Sequence, residues 1–348
     1  MASSLPSQPC NIEKTVTQNE VYEEVDRKFF ELVQTLPKGQ GWMIPALVQY
    51  QGFWYPPISV FKGVLLMQNH FTSRPNDIFM ASFLKSGTTW LKAILFATMK
   101  RDEYEFATHP LLTTGPHDCF PYLDSYICQS DVEALPSPRL FATHSAYSIL
   151  PKSITDSDCK IVYISRNPKD VFVSQYLFAR KMRPQMLPPL IMEEAFELFC
   201  RGVSEYGPFF DHVLGYWKAS LEFPEKILFL KFEELKKEPA KHIKKLAEFL
   251  GKPFLKEEET DGVIDQIVKL CSFDNLTSLE VNKTGTSNFI PEMVVYNTNF
   301  FRKGEVGDSK NHLTPEMIAQ LDQITEEKLK GTGFTFGEST NIEENSDP

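Results

Sequence analysis

The stretch Lys85-Ser86-Gly87-Thr88-Thr89-Trp90 holds residue types that bind an anion at a backbone corner. It stands between a continuous apolar run, Asp77-Ile-Phe-Met-Ala-Ser-Phe83, which suits a strand buried on both faces, and Trp90 to Met99, which reads as a helix. Free N–H groups and the dipole at a helix N-terminus favour negative charge. Gly87 lets the backbone approach such a ligand closely, the Thr88 and Thr89 hydroxyls add donors, and Lys85 adds a point charge. The order is not the Gly-x-x-x-x-Gly-Lys-Ser/Thr of the P-loop, because here the lysine precedes the glycine. A plain glycine turn with a solvated lysine is the bland alternative. Arg166 stands at a second corner, since Lys160-Ile-Val-Tyr-Ile-Ser165 reads as a strand and Asn167 is placed to cap a helix that starts at Pro168. His144 closes the strand-like run Arg139-Leu-Phe-Ala-Thr-His144, at the end of a sheet where open α/β folds bind ligands. A neutral imidazole there is suited to take a proton from a hydroxyl near pH 7. The histidines at 70, 109, 117, 212, 242 and 312 have no motif context and are assigned no role.

Positioning these groups requires alternating strands and helices. A fourth strand-like run is Lys226-Ile-Leu-Phe-Leu-Lys-Phe232. After it, Ile243, Leu246, Ala247 and Leu250 mark one helix face between Pro239 and Gly251, and Ile318, Leu321 and Ile324 mark another that starts at Thr314-Pro315. The pattern predicts an α/β fold with a mainly parallel sheet flanked by helices. Nothing rich in Pro, Gly or Ser divides residues 21–337, so one domain is expected, with a disordered arm over 1–20 and a disordered acidic tail over 338–348.

Charge narrows the partners. With 36 Lys+Arg against 46 Asp+Glu in 348 residues, the net charge is −10. That balance argues against a nucleic-acid or anionic-membrane binder, so an anionic ligand must meet locally concentrated cations. No apolar stretch approaches the roughly 18 residues of a membrane span, and no secretory signal is evident. A cytoplasmic protein is expected. Its six cysteines, at 10, 119, 128, 159, 200 and 271, are too dispersed for a metal or disulfide pattern and read as free buried thiols.

The segment Ser82-Phe-Leu-Lys-Ser-Gly-Thr-Thr-Trp-Leu91 resembles the 5′-phosphosulfate loop of cytosolic sulfotransferases, commonly Tyr-Pro-Lys-Ser-Gly-Thr-Thr-Trp, with Phe83-Leu84 in place of Tyr-Pro. Ala142-Thr-His144, Ser165-Arg-Asn-Pro-Lys-Asp170 through Ser174, and Phe301-Arg-Lys-Gly304 with Gly307-Asp308 follow in the family's order. Tyr50-Gln-Gly-Phe-Trp-Tyr-Pro-Pro57 and Cys200-Arg-Gly-Val-Ser-Glu-Tyr-Gly-Pro208 look like the plant branch, which acts on flavonols, steroids, hydroxyjasmonates and glucosinolates.

The resemblance implies 3′-phosphoadenosine 5′-phosphosulfate (PAPS) as co-substrate and no metal. It implies that Lys85, Ser86, Gly87, Thr88 and Thr89 hold the 5′ end, that Trp90 stacks on adenine, and that Arg166, Ser174, Arg302, Lys303 and Gly304 hold the 3′-phosphate. Tyr206 matches a nucleotide-holding residue and Phe273 an adenine-side contact, although Cys271 replaces the usual Thr two positions before it. His144 would be the general base and Lys85 would stabilise the leaving oxygen. The family's Leu-Pro after the histidine is Ser145-Ala146 here. The expected acceptor is a small apolar or aromatic hydroxyl compound, with Arg180 to Leu190 as a lid. A nucleotide kinase or ATPase, or a non-catalytic nucleotide sensor, is the competing class. A monomer is expected, because the animal dimer segment Lys-x-x-x-Thr-Val-x-x-x-Glu becomes Lys310 to Ala319 with Pro315 for Val and Ala319 for Glu.

Overall fold

The computed structural model of the chain describes residues 16–290 and 292–337. Its centre is a four-stranded parallel sheet made of β4 (Ile78–Ser82), β5 (Leu140–Thr143), β6 (Lys160–Ser165) and β7 (Ile227–Lys231), in the order β5-β4-β6-β7. All four are the expected runs, each trimmed by a residue or two or unchanged. In register, Ile78 faces Leu140 on one side and Lys160 on the other, and Ile161 faces Ile227. An antiparallel sheet of β1 (Lys38–Gln40), β2 (Ala46–Tyr50) and β3 (Phe53–Tyr55) and a hairpin of β8 (Thr286–Ile290) and β9 (Met293–Tyr296) complete the strands among the described residues.

Every residue of β4 is buried, which explains its unbroken apolarity. Ile78 and Met80 pack with Leu140, Ala142, Val162 and Ile164 on one face, beneath the helices Thr88–Met99 and Pro239–Phe249. Phe79, Ala81, Phe141, Ile161 and Tyr163 fill the other face, beneath Pro168–Met182 and Phe209–Glu222. Two layers of helix around one sheet make a single α/β domain. Chain order reverses at β4, whose neighbours are β5 and β6, so the carboxyl ends of these strands open a crevice between their loops.

Both amphipathic helices form as expected. Ile243, Leu246 and Ala247 are buried in Pro239–Phe249, and Thr314 caps Pro315–Leu329 by accepting from Met317 N. The N-terminal helix Val16–Thr35 overlaps the end of the expected arm at residues 16–20, while 1–15, the 338–348 tail and Cys10 lie outside the described residues. The other five cysteines form no disulfide among the described residues, but Cys128 and Cys200 are only half-buried. The Arg180–Leu190 connection is tied down at both ends. Arg180 to Met182 belong to the helix, Arg183 donates to Gly41 and Trp42 carbonyls, and Leu190 is buried with its carbonyl accepting from Tyr176.

Candidate active site

Four strand ends deliver the chemistry. After β4 the chain turns at Lys85, whose φ of 68° is left-handed, and at Gly87, whose φ of 111° only glycine adopts easily. A Cβ on Gly87 would stand 2.7 Å from the Phe232 ring, so the close approach also requires glycine. The helix Thr88–Met99 starts there, and Thr88 Oγ1 is 2.8 Å from Ser82 Oγ. After β5 comes His144, after β6 Arg166, and after β7 Phe232.

These groups line one cleft enclosing about 1390 Å³ of empty space, part of it open to solvent. Lys85, Gly87, Thr88, Thr89, Trp90, His144, Arg166, Ser174, Tyr206, Phe273, Arg302 and Gly304 are all on its wall. Ser86 is fully buried and is not on the wall, and the half-exposed Lys303 is not either.

His144 is 5% exposed. Its Nδ1 lies 2.8 Å from the Ser82 carbonyl oxygen, which can only accept, so Nδ1 carries the proton and the Nε2 lone pair is uncommitted among the described residues. Burial pushes the imidazole down to about 3, against the Ser82 bond, so it is neutral around pH 7. Tyr122 and Tyr206 flank the ring, with centroids at 5.0 and 5.1 Å. Behind it, His212 Nε2 is 2.9 Å from the His144 carbonyl and Tyr163 OH is 3.0 Å from His212 Nδ1, which fixes the backbone that carries the imidazole.

Lys85 Nζ lies 4.2 Å from the centroid of the Phe178 ring. Burial pushes its ammonium down to about 7, and the charges of Arg166, Arg302 and Lys181 push the same way. Arg166 is 6% exposed; its guanidinium covers the Phe232 ring at 4.4 Å, and Nη2 donates to the Glu305 carbonyl at 2.6 Å and reaches Asp170 at 3.4 Å. Its Nε has no hydrogen-bond partner among the described residues. A cluster of cations that repel one another and keep an unused donor fits a polyanion. As expected, Asn167 caps the helix that begins at Pro168 and brings Ser174 to the cleft.

The closing loop is built around two carboxylates. Asp170 accepts from Gly307 N at 2.7 Å and Ser309 N at 3.0 Å. Asp308 pairs with both Arg302 and Lys303, and their hydrogen bonds hold its carboxyl well below the usual range although burial pushes upward. Gly304 has φ 65°, and a Cβ there would stand 2.5 Å from the Phe273 ring, so Gly304 and Phe273 form one tight contact. Ser272 caps the short helix that Phe273 opens, and Cys271 is wholly buried.

Sequence reasoning assigned nothing to His117, Tyr122, Phe178, Phe232 or Phe300, all of which line the cleft. Another part of its wall is apolar, formed by Met43, Ile44, Pro56, Ile58, Val60, Met293 and Val295. Buried Glu205 holds that part in place by accepting from Trp42 N and Met43 N at 2.9 and 3.0 Å, and Tyr206 N donates to the Trp54 carbonyl at 2.8 Å. No short-range motif marks these residues.

Comparison with known proteins agrees with this geometry. Residues 75–333 match the family model described as "Sulfotransferase domain". The chain is 45% identical to cytosolic sulfotransferase 17 of Arabidopsis thaliana over 322 residues, 91% of this chain and 93% of that one. It is 46% identical to flavonol 4′-sulfotransferase of Flaveria chlorifolia over 329 residues, 93% of this chain and all of the other. Among solved structures, an Arabidopsis thaliana sulphotransferase superposes with a TM-score of 0.71 at 35% identity, covering 96% of this chain and 100% of that one. A mouse sulfotransferase complexed with PAP does so at 0.62 and 27%, covering 82% and 94%. With its four strand-end motifs in one cleft and plant sulfotransferases as relatives over nearly its whole length, the chain belongs to the sulfotransferase family and is an enzyme of its plant type.

Proposed function

We propose that the protein moves the sulfuryl group of 3′-phosphoadenosine 5′-phosphosulfate to a hydroxyl of a small apolar or aromatic acceptor, a flavonoid, steroid or related plant metabolite. The observation that carries this reading is a neutral, Nδ1-protonated imidazole on the wall of one cleft whose lining also holds a cluster of cations and a set of apolar side chains. PAP bound to the mouse relative and the flavonol specificity in the name of the Flaveria protein support it.

When bound, the co-substrate supplies a sulfuryl group that passes through a loose, in-line transition state, by analogy with phosphoryl transfer. His144 Nε2 takes the proton of the acceptor hydroxyl. Lys85 stabilises charge on the leaving oxygen, and the loop N–H groups with Thr88 and Thr89 hold the non-bridging oxygens. Arg166, Ser174, Arg302 and the Gly304 backbone hold the 3′-phosphate, and Lys303 steadies that loop through Asp308. Trp90 and Phe273 hold the adenine. Tyr206 serves the His144 end of the cleft, where its ring packs against the imidazole.

The Arabidopsis thaliana relative is named a cytosolic sulfotransferase, which supports a cytoplasmic location; among the described residues no helix is long and apolar enough to cross a membrane. The Lys310–Ala319 stretch that matches the animal dimer segment runs from a 3₁₀ turn at Asp308–Asn311 into a helix from Pro315 and is not extended, which supports a monomer. Light scattering at micromolar concentration tests that, and a mass near twice 39.9 kDa would refute it.

Function is tested with radiolabelled PAPS against a panel of flavonols and steroids, beside labelled ATP with and without magnesium. Sulfate ester formation supports the proposal. Phosphate transfer or ATP hydrolysis instead would establish a kinase or ATPase, and nucleotide binding without transfer would establish a sensor.

A further inference from the structure

A chain of buried polar side chains runs behind Thr89 and takes no part in the steps above. Lys92 lies one turn along the same helix and is 0% exposed, a costly place for an ammonium that an apolar residue would fill without penalty. Its Nζ is 2.7 Å from the Phe120 carbonyl oxygen and 3.3 Å from His117 Nδ1, and it sits 3.4 Å from the centroid of the Tyr122 ring. Burial pushes this ammonium well down, but the carbonyl, the π-face and the nearby Asp118 and Asp124 carboxylates favour the charged form, whose third N–H is then given to the ring nitrogen, so Lys92 is the donor in this cluster. His117 Nδ1 therefore accepts, and the ring's proton resides on Nε2.

That nitrogen is 3.0 Å from Thr89 Oγ1. The ring cannot swing away, because it stacks on Tyr122 at 5.7 Å and 16° and meets Phe300 at 4.0 Å. With His117 Nε2–H filling one lone pair of Oγ1, the hydroxyl hydrogen of Thr89 must point elsewhere. Thr89 is on the cleft wall, and His117 is the hydrogen-bond partner of its side chain among the described residues.

We infer that Lys92 and His117 are positioning residues that fix the Thr89 hydroxyl as a donor toward the anionic 5′ group of the nucleotide. The inference rests on reading the cleft as a phosphosulfate site. It also accounts for an ammonium and an imidazole buried side by side, since each holds the next in a single hydrogen-bond direction.

The test uses the full chain and two nucleotides, 3′-phosphoadenosine 5′-phosphate and 3′-phosphoadenosine, which lacks the 5′ group. Calorimetry should show that Thr89→Val and His117→Asn each weaken the first by about tenfold or more and leave the second within about twofold, since a hydrogen bond to a charged group carries that much. His117→Gln, whose amide N–H reaches the Nε2 position, should bind close to wild type. The double variant Thr89→Val with His117→Asn should be no worse than Thr89→Val. Multiplying losses, equal weakening of both nucleotides, or failure of Gln to restore binding would overturn the relay while leaving the site reading intact. Failure of the wild type to bind 3′-phosphoadenosine 5′-phosphate at all would overturn the site reading itself. Should His117→Asn not fold, Lys92→Met offers the same comparison from the other end of the chain.

Discussion

The two ends of the cleft are made in different ways. The cationic end draws mainly on residues close in sequence to a strand end, with Lys85 to Trp90 soon after β4, Arg166 directly after β6 and Ser174 two turns on, while Arg302 and Gly304 come from the loop that follows β9. Backbone geometry does much of its work, through the left-handed turns at Lys85, Gly87 and Gly304. The apolar end consists of side chains from elements far apart, with Met43 and Ile44 from the β1–β2 turn, Ile58 and Val60 around a helix start, and Met293 and Val295 from β9. A phosphate has one charge pattern and fixes its cradle, whereas an apolar acceptor demands only volume and shape. Donor recognition can thus be written in contiguous motifs, and acceptor recognition cannot.

The junction of the two ends should be the most sensitive point. His144→Ala is expected to lower turnover by about 10²–10⁴ while affinity for 3′-phosphoadenosine 5′-phosphate stays near wild type. An equal loss of nucleotide affinity, read by calorimetry, would move His144 out of the base role and into the cationic end.

A cationic-end variant should do the reverse. Arg166→Ala is expected to weaken 3′-phosphorylated adenosine nucleotides by an order of magnitude or more and to leave those lacking that phosphate nearly unchanged. Equal effects on both would show that Arg166 serves the loop through Glu305 and Asp170 rather than the ligand.

Acidity sharpens the same contrast. Lys85 titrates near 7 in the free protein, and an anion bound beside it raises that value. Affinity for 3′-phosphoadenosine 5′-phosphate is therefore complete below pH 7 and falls by up to about tenfold per unit above it, until the bound-state value is reached. Lys85→Arg, which stays charged, should bind with a flat profile through that window yet turn over poorly, because a planar fork replaces a point charge. Binding by the wild type that is flat from pH 6 to 9 would contradict this account.

The smallest effect belongs to the apolar end. Ile44→Ala is expected to change the ranking of acceptors by about 10-fold or less, as suits a few methylenes, without altering nucleotide affinity. Competition assays with paired flavonols read it directly, and a changed nucleotide affinity would erase the division between the ends.

By itself the sequence determined the sheet and the charged machinery. Short unbroken apolar runs bounded by turn residues suit strands covered on both faces, and a Lys-Ser-Gly-Thr-Thr corner or an Arg-Asn-Pro cap encodes its own turn, so Lys85 to Trp90, Arg166 and His144 were legible as candidates. Tertiary structure alone decided what surrounds them. Nothing near position 117 marks its histidine, which acquires Lys92 and Thr89 as neighbours only when the 116–122 segment crosses the helix after β4. Phe232 became the floor under Arg166 because β7 ends beside β6, and Met43 reached the cleft because Glu205, 162 residues away in the chain, holds its N–H. Short-range order follows from local sterics and hydrogen bonding, whereas which distant side chains meet depends on how whole elements pack, and that information is spread over the entire chain.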